Sequence, residues 1–399
     1  MKLLTTEVKN KVLSDMISVI DQRRSEILKA NQKDLDDFSR DDQALYDRLV
    51  VNDAKIDGMI TAIRQVKGQD DPVSKEISNI TLDTGLNIIN KTDPFGTILI
   101  IYESRPDVTI EAAVLAFKAN NKILLKGGKE AKHSNKILVE CWHEALKRND
   151  LDESWIKYLE LNREDTQEFL RNPPEKLDLI VPRGGERLIA FVKEHAACAV
   201  LISGRGNNFV YVSPKADWDK AVKVIVNAKT DKISGCNALD KVLIDENYPN
   251  IDNRLNELYQ TLGKLGVEIL VDDKVFGKIN KGEKISSEDV WYEEFLAMKI
   301  LIALTSNKDE AIEHINKYSG KHSVIIMTED DQEALDFMQR IDAAAVYQNA
   351  SSRFTDGGQM GVGAELAIST DKLHHRGPLG LKQLVTNKYY VFGDAHIRE

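Results

Sequence analysis

The segment NAKTDKISGCNALDKVLID, Asn227 to Asp245, contains one cysteine, Cys236, whose side chain could serve as a nucleophile. A thiolate at that position can attack an activated carbonyl and carry the acyl group as a thioester. Asp231, Ser234 and Gly235 are turn formers, and NALDKVL can begin a helix whose N-terminus would favour the thiolate. Free cysteines are more often small apolar fillers, and the sequence leaves these two readings level. Two further stretches, ILLKGGKEA and LIVPRGGERLIAF, read as strand, Gly-Gly, helix. Such glycines admit close backbone approach, and the helix start offers N–H groups to a phosphate, with Lys126, Lys129 and Arg183 as nearby cations. Tight turns with solvated lysines would look the same, and neither G-x-G-x-x-G nor G-x-x-x-x-G-K-[ST] occurs. RFTDGGQMGVGAE concentrates four glycines, either around something bound or in a flexible connection. No metal site is expected. Cys141 and His143 do not share a helix face, and His374 and His375 lack partners at ligand spacing.

The elements that must position these residues follow a clear order. Up to Asp70 the chain reads as helices, with Val8, Val12, Met16, Ile17 and Ile20 on one face. Two β-prone runs then flank Asp83-Thr84-Gly85, a hairpin signal. From Gly96 onward strands and helices alternate: TILIIYE, KILLK, WIKYLEL, LDLIV and CAVLI as strands, with amphipathic helices between them. A second alternating set includes VEILV, MKILIAL, SVIIMT and AAAVYQNA and is expected to begin near Cys236. Alternation of this kind implies parallel sheets covered by helices. The tail from Leu379 has β-prone clusters but too little length for its own core, so it must pair elsewhere.

At 399 residues the chain exceeds one core and suits two or three domains. A net charge of −10 argues against a nucleic-acid partner. Three scattered cysteines suit a reducing compartment, no run reaches membrane-spanning length, and the N-terminus lacks a signal-peptide core. The chain reads as cytoplasmic.

Several segments in fixed order resemble the gamma-glutamyl phosphate reductases of the aldehyde dehydrogenase superfamily. They are IYESRPDVTIEAA, LLKGGKEA, VPRGGERLI, NAKTDKISGCNALDKVLI, AVYQNASSRFTDGG and GAELAISTDKLHHRGPLGLKQLVTNKYYVFGD. The resemblance covers most of the chain after Gly96. It implies an aldehyde dehydrogenase-like α/β fold of two parallel-sheet domains plus a small strand extension for oligomerisation. The implied division is an NADP-binding domain at 1–77 and 93–235, a catalytic domain at 236–370, and oligomerisation strands at 78–92 and 371–399.

By the same resemblance, Cys236 is the nucleophile, and Ser104 with the Cys236 N–H binds the oxyanion. Lys126 meets the adenosine ribose and 2′-phosphate of NADP(H), and Gly127 and Gly128 bind the same cofactor. Arg183, Gly184 and Gly185 form a second phosphate loop, and Glu294 in WYEEFLAMK holds the nicotinamide ribose. Arg105, Asn349 and Arg353 bind the substrate's phosphate or carboxylate. The implied reaction is NADPH-dependent reduction of L-glutamate 5-phosphate to the semialdehyde through a cysteine thioester, in proline biosynthesis. The implied partners are a small-molecule substrate, an upstream glutamate 5-kinase, and further copies of the chain in a homo-oligomer. Ile202 and Ser203 stand where hydrolytic relatives carry a glutamate base, which a reductase does not need. Asn207-Asn208-Phe209 departs from the usual Asn-Cys-His, and Gln359-Met360 from an acidic–aromatic pair. Two other functions stay open: reduction of another acyl phosphate or acyl-CoA, and an inactive nucleotide-binding protein.

Overall fold

The continuous apolar runs of the sequence become parallel strands buried on both faces. The structure, a computed structural model, describes residues 2–39 and 43–398. The chain forms two units, Met1–Ile202 with Gly361–Ala367 and Leu379–Glu399, and Ser203–Met360 with Ile368–Pro378.

In the first unit a four-stranded parallel sheet runs in the order Ile156–Tyr158, Lys122–Lys126, Thr97–Tyr102, Leu179–Arg183. Ile98 and Ile100 face one core, whereas Leu99 and Ile101 face another, as the two-residue period of a strand requires. The helix Pro106–Lys118 starts on a proline, whose missing N–H costs nothing there, and is buried around most of its circumference. Asn120 and Asn121 end it and do more than stop it. Asn120 accepts the Leu4 N–H (2.8 Å), and Asn121 bridges the Gly96 N–H (3.0 Å) and the Leu384 carbonyl (2.8 Å). The N-terminal helix Thr6–Gln22 is capped by Thr5 and buries Val12, Leu13, Met16, Val19 and Ile20; Val8 and Ile17 are only partly covered.

The expected hairpin forms, with Gly85 at a positive φ of 90° between the strands Glu76–Thr81 and Asn87–Pro94. The tail strand Val385–Phe392 pairs antiparallel with Asn87–Pro94, completing a three-stranded sheet. CAVLI forms only a single bridge, Val200 with Ile180.

The second unit holds a seven-stranded, all-parallel sheet. Its order is Glu283–Lys284, Glu268–Val271, Lys299–Thr305, Leu239–Asp245, Asn208–Val212, Ser323–Met327, Ala345–Gln348. Val210, Val242, Ile302 and Ile325 pack on one face, and Phe209, Tyr211, Leu243 and Val324 on the other. The unit begins at Ser203, not at Cys236 as the alternation suggested. The reason is pairing: Asn208–Val212 lies between Leu239–Asp245 and Ser323–Met327, so it joins this sheet. No helix among the described residues is long and apolar enough to cross a membrane.

Candidate active site

In the first unit the carboxyl ends of three adjacent strands bring Tyr102, Lys126 and Arg183 to one edge, where ligands bind in parallel α/β sheets. Just beyond Tyr102, Ser104 sits at a positive φ of 21°. Its N–H (2.8 Å) and hydroxyl (2.7 Å) both donate to Glu130, so the Ser104 hydroxyl assigned to an oxyanion faces a carboxylate. Burial raises the Glu130 pKa, but the bonds from Ser104 outweigh it and hold the carboxyl below its ordinary value. Burial lowers the Lys126 amine, and the Glu130 carboxylate opposes that shift.

Each Gly-Gly turn is closely packed. A Cβ on Gly127 would collide with Asn135, one on Gly128 with Glu130, and one on Gly184 would lie 2.7 Å from Glu103 and Leu188. Gly185 caps the helix Glu186–His195 and faces open space. Arg183 donates to the Leu366 carbonyl (2.6 Å), and Arg105 pairs with Asp107 (2.8 Å).

In the second unit Cys236 is half-buried in consecutive turns between the helix Trp218–Thr230 and the strand Leu239–Asp245. NALDKVL therefore begins no helix, and the proposed dipole effect on the thiol has no helix behind it. The misreading came from Asp240 and Lys241, which look like an exposed polar pair yet are buried in a central strand. Asp240 pairs with Lys229 (3.2 Å), which also donates to the Leu239 carbonyl (2.9 Å). Lys241 donates to the Glu293 carbonyl (2.7 Å) and lies 3.6 Å from the Phe295 ring centroid. The Phe295 N–H in turn donates to Asp240. Two buried charges thus grip the segment carrying Glu294.

Glu294 Oε1 accepts the Gly206 N–H (2.8 Å). A Cβ on Gly206 would lie 2.6 Å from that same oxygen and 3.0 Å from the Cys236 carbonyl carbon, closer still to its oxygen. The Glu294 carboxylate and the thiol-bearing backbone therefore meet across one glycine. Arg353 joins them: its Nε binds Asp231 (3.0 Å), and its Nη1 lies 2.7 Å from where a Gly235 Cβ would be. This guanidinium is the positive charge that the structure places beside the residue preceding Cys236. Gly206, Cys236 and Glu294 each precede a strand and so lie at the amino ends of the sheet, opposite to the usual ligand-binding edge. Asn349 is engaged elsewhere, donating to the Thr328 carbonyl (2.8 Å) and accepting the Thr328 N–H (3.0 Å).

Sequence reasoning missed Glu103 and Glu130, the carboxylates lying on the two Gly-Gly turns. It also missed Gly206, because nothing in the sequence alone places it beside Cys236, and it missed that Asn237 ties the thiol loop to the carbonyls of Arg353 and Thr355. Asn208 stood out only as an unusual residue.

The aldehyde dehydrogenase family model matches residues 1–279, and the chain belongs to the aldehyde dehydrogenase family. Proteins of this family use nicotinamide cofactors. Within it, the chain is 44% identical over 398 residues to gamma-glutamyl phosphate reductase of Thermotoga maritima, covering 99% of this chain and 95% of that one. It is 38% identical over 400 residues to gamma-glutamyl phosphate reductase 2 of Bacillus licheniformis, covering 100% and 94%. The crystal structure of the Thermotoga maritima reductase matches with a TM-score of 0.95 over 99% of this chain and 95% of that chain, at 44% identity.

Proposed function

We propose that this protein reduces L-glutamate 5-phosphate to L-glutamate 5-semialdehyde and phosphate with NADPH, the second step of proline biosynthesis from glutamate. The observation that carries this reading is the meeting of Cys236, Glu294 and Arg353 around Gly206 and Gly235, in a chain 44% identical to a gamma-glutamyl phosphate reductase. An acyl phosphate brings its own leaving group, so a thiolate suffices as nucleophile. Attack by Cys236 Sγ forms the C–S bond of a thioester and breaks the bond from the acyl carbon to the phosphate oxygen. When bound, NADPH supplies the two electrons and the hydrogen that convert this thioester to the aldehyde level. Collapse of the resulting thiohemiacetal breaks the C–S bond, frees the aldehyde and returns the thiolate.

The residues present suit the dinucleotide. Lys126 with Gly127 and Gly128 would take the adenosine ribose and 2′-phosphate, Arg183 to Gly185 the pyrophosphate, and Glu294 the nicotinamide ribose. Gly185, open at a helix N-terminus, and the basic Lys126 at a strand end support this assignment. Arg353 beside the thiol loop suits an anionic substrate group. Arg105 is the second guanidinium assigned to substrate.

The three-stranded sheet exposes Ile77, Ile80, Tyr389, Val391 and Phe392 on its two outer strands, which supports a homo-oligomer that covers them. Three free cysteines support a cytoplasmic location, where a glutamate 5-kinase would supply the acyl phosphate. A coupled assay with that kinase, ATP and NADPH tests the reaction. Cys236→Ser should fold and lose turnover; near-parental turnover would rule the mechanism out.

A further inference from the structure

Asn208 is fully buried at the start of a central strand, and its side chain spends every hydrogen-bonding group it has on fixed backbone. Nδ2 donates to the carbonyls of Cys236 (2.8 Å) and Ala238 (2.7 Å), and Oδ1 accepts the Ser323 N–H (2.9 Å). We infer that Asn208 is the positioning residue of the nucleophile loop, fixing the Cys236 peptide against the sheet and so setting where Sγ is presented.

The ladder itself cannot do this. Asn208 pairs with Leu239, and the register shifts at once so that Phe209 faces Lys241. The carbonyls at 236 and 238 precede the regular pairing, and a primary amide offers two donors at a spacing that suits them. The middle carbonyl, of Asn237, points the other way and accepts the Ser352 hydroxyl (2.7 Å). Asn237 Nδ2 meanwhile donates to the carbonyls of Thr355 (2.9 Å) and Arg353 (3.3 Å). Three consecutive carbonyls of the turn are thus each held by a side chain, the outer two by Asn208 and the middle one by Ser352. Ser352 and Thr355 belong to a short turn and its end; Asn208 belongs to a strand with all five residues buried. It is the rigid anchor of the two. Because the peptide is planar, a fixed Cys236 carbonyl sets the plane of the 236–237 peptide and with it the position of the Cα from which the thiol branches.

The inference rests on Cys236 being the nucleophile, and its test separates the two. In the reverse direction, semialdehyde and NADP+ without phosphate should give a single burst of NADPH as the thioester forms on Cys236. Asn208→Leu keeps the branched shape and the number of side-chain heavy atoms and removes every bond. The burst rate should fall about 100-fold, the effect of a displacement near an ångström, while the KM for NADP+ stays within about twofold of the parent. Asn208→Ser can hold one carbonyl and should lose roughly tenfold, one bond's share of that effect. It carries the test alone if the leucine variant fails to fold. Iodoacetamide alkylation of Cys236, a reading independent of turnover, should slow in the same order. Parental burst rates in the folded variant, or a loss shared equally by the KM, would overturn the inference. A Cys236→Ser protein that still turns over would instead overturn the function on which it depends.

Discussion

Gly206→Ala is the sharpest perturbation of the site, because one methyl group touches both of its halves. The new Cβ would sit 2.6 Å from Glu294 Oε1 and 3.0 Å from the Cys236 carbonyl carbon. Favourable carbon contacts begin at roughly 3.5 Å, so each neighbour must move by a large fraction of an ångström. The Cys236 carbonyl cannot retreat freely, since Asn208 holds it (2.8 Å), and Glu294 is gripped through Glu293 by Lys241 (2.7 Å). Displacing a reacting group by about an ångström lowers rate on the order of 100-fold, and overpacking costs roughly 1–3 kcal/mol of stability. Steady-state kinetics should show kcat falling by about that factor and the KM for NADPH rising, because Glu294 is displaced together with the thiol. Denaturant titration reports the stability term separately. Gly58→Ala serves as the matched control. Gly58 is exposed within the helix Asp53–Gly68 with nothing within 4 Å of its would-be Cβ. That change should leave kinetics alone and add about 0.5–1 kcal/mol. A Gly206→Ala enzyme with parental kcat and KM would refute the packing argument for this site.

Burial pushes the Lys241 amine down from 10.5 to about 7, against the opposing pull of the Asp240 carboxylate. The unfolded chain therefore binds more protons than the folded one between these values, and this group's contribution makes stability rise with pH across that window. Denaturation of Lys241→Met and parent at several pH values should show the difference moving in the parent's favour from about pH 7 to about pH 10; a difference independent of pH would contradict it. Lys9, fully buried, pairs with Asp71 at 2.8 Å, and Asp71 also accepts from the Thr6 hydroxyl (2.9 Å) and the Val73 N–H (3.0 Å). Lys9→Met strands that carboxylate and should cost about 3–5 kcal/mol in urea denaturation, most of it recovered when Asp71→Asn is added. A cost below about 1 kcal/mol would show that Asp71 needs no cation.

Strands announced by local composition were legible. TILIIYE, KILLK and LDLIV became Thr97–Tyr102, Lys122–Lys126 and Leu179–Arg183, because a strand buried on both faces must be apolar at every position. Leu239–Asp245 was read as a helix start because Asp240 and Lys241 break that rule, their charges being met by Lys229 and the 293–295 segment from distant parts of the chain. The unit boundary failed for a related reason: alternation records that strands exist but not which sheet each one joins. Cys236 and Glu294 were singled out in the sequence, and the fold brings them to either side of Gly206. Asn349 was singled out too, and its amide is committed to the turn at Thr328.

The sequence by itself determined the inventory: a thiol among turn residues, two Gly-Gly turns at strand ends, and the alternation that requires parallel sheets. Those features depend on neighbours a few residues apart, whose geometry is dictated by local sterics and periodicity. Tertiary structure alone decided what surrounds the thiol. An amide from the adjacent strand holds the backbone that carries it, a guanidinium stands beside the preceding glycine where a helix start was expected, and a carboxylate meets the same backbone across a residue with no side chain. The hydrogen bonds that hold these three groups in place join residues 28 to 122 positions apart in the chain, and only packing brings such residues together.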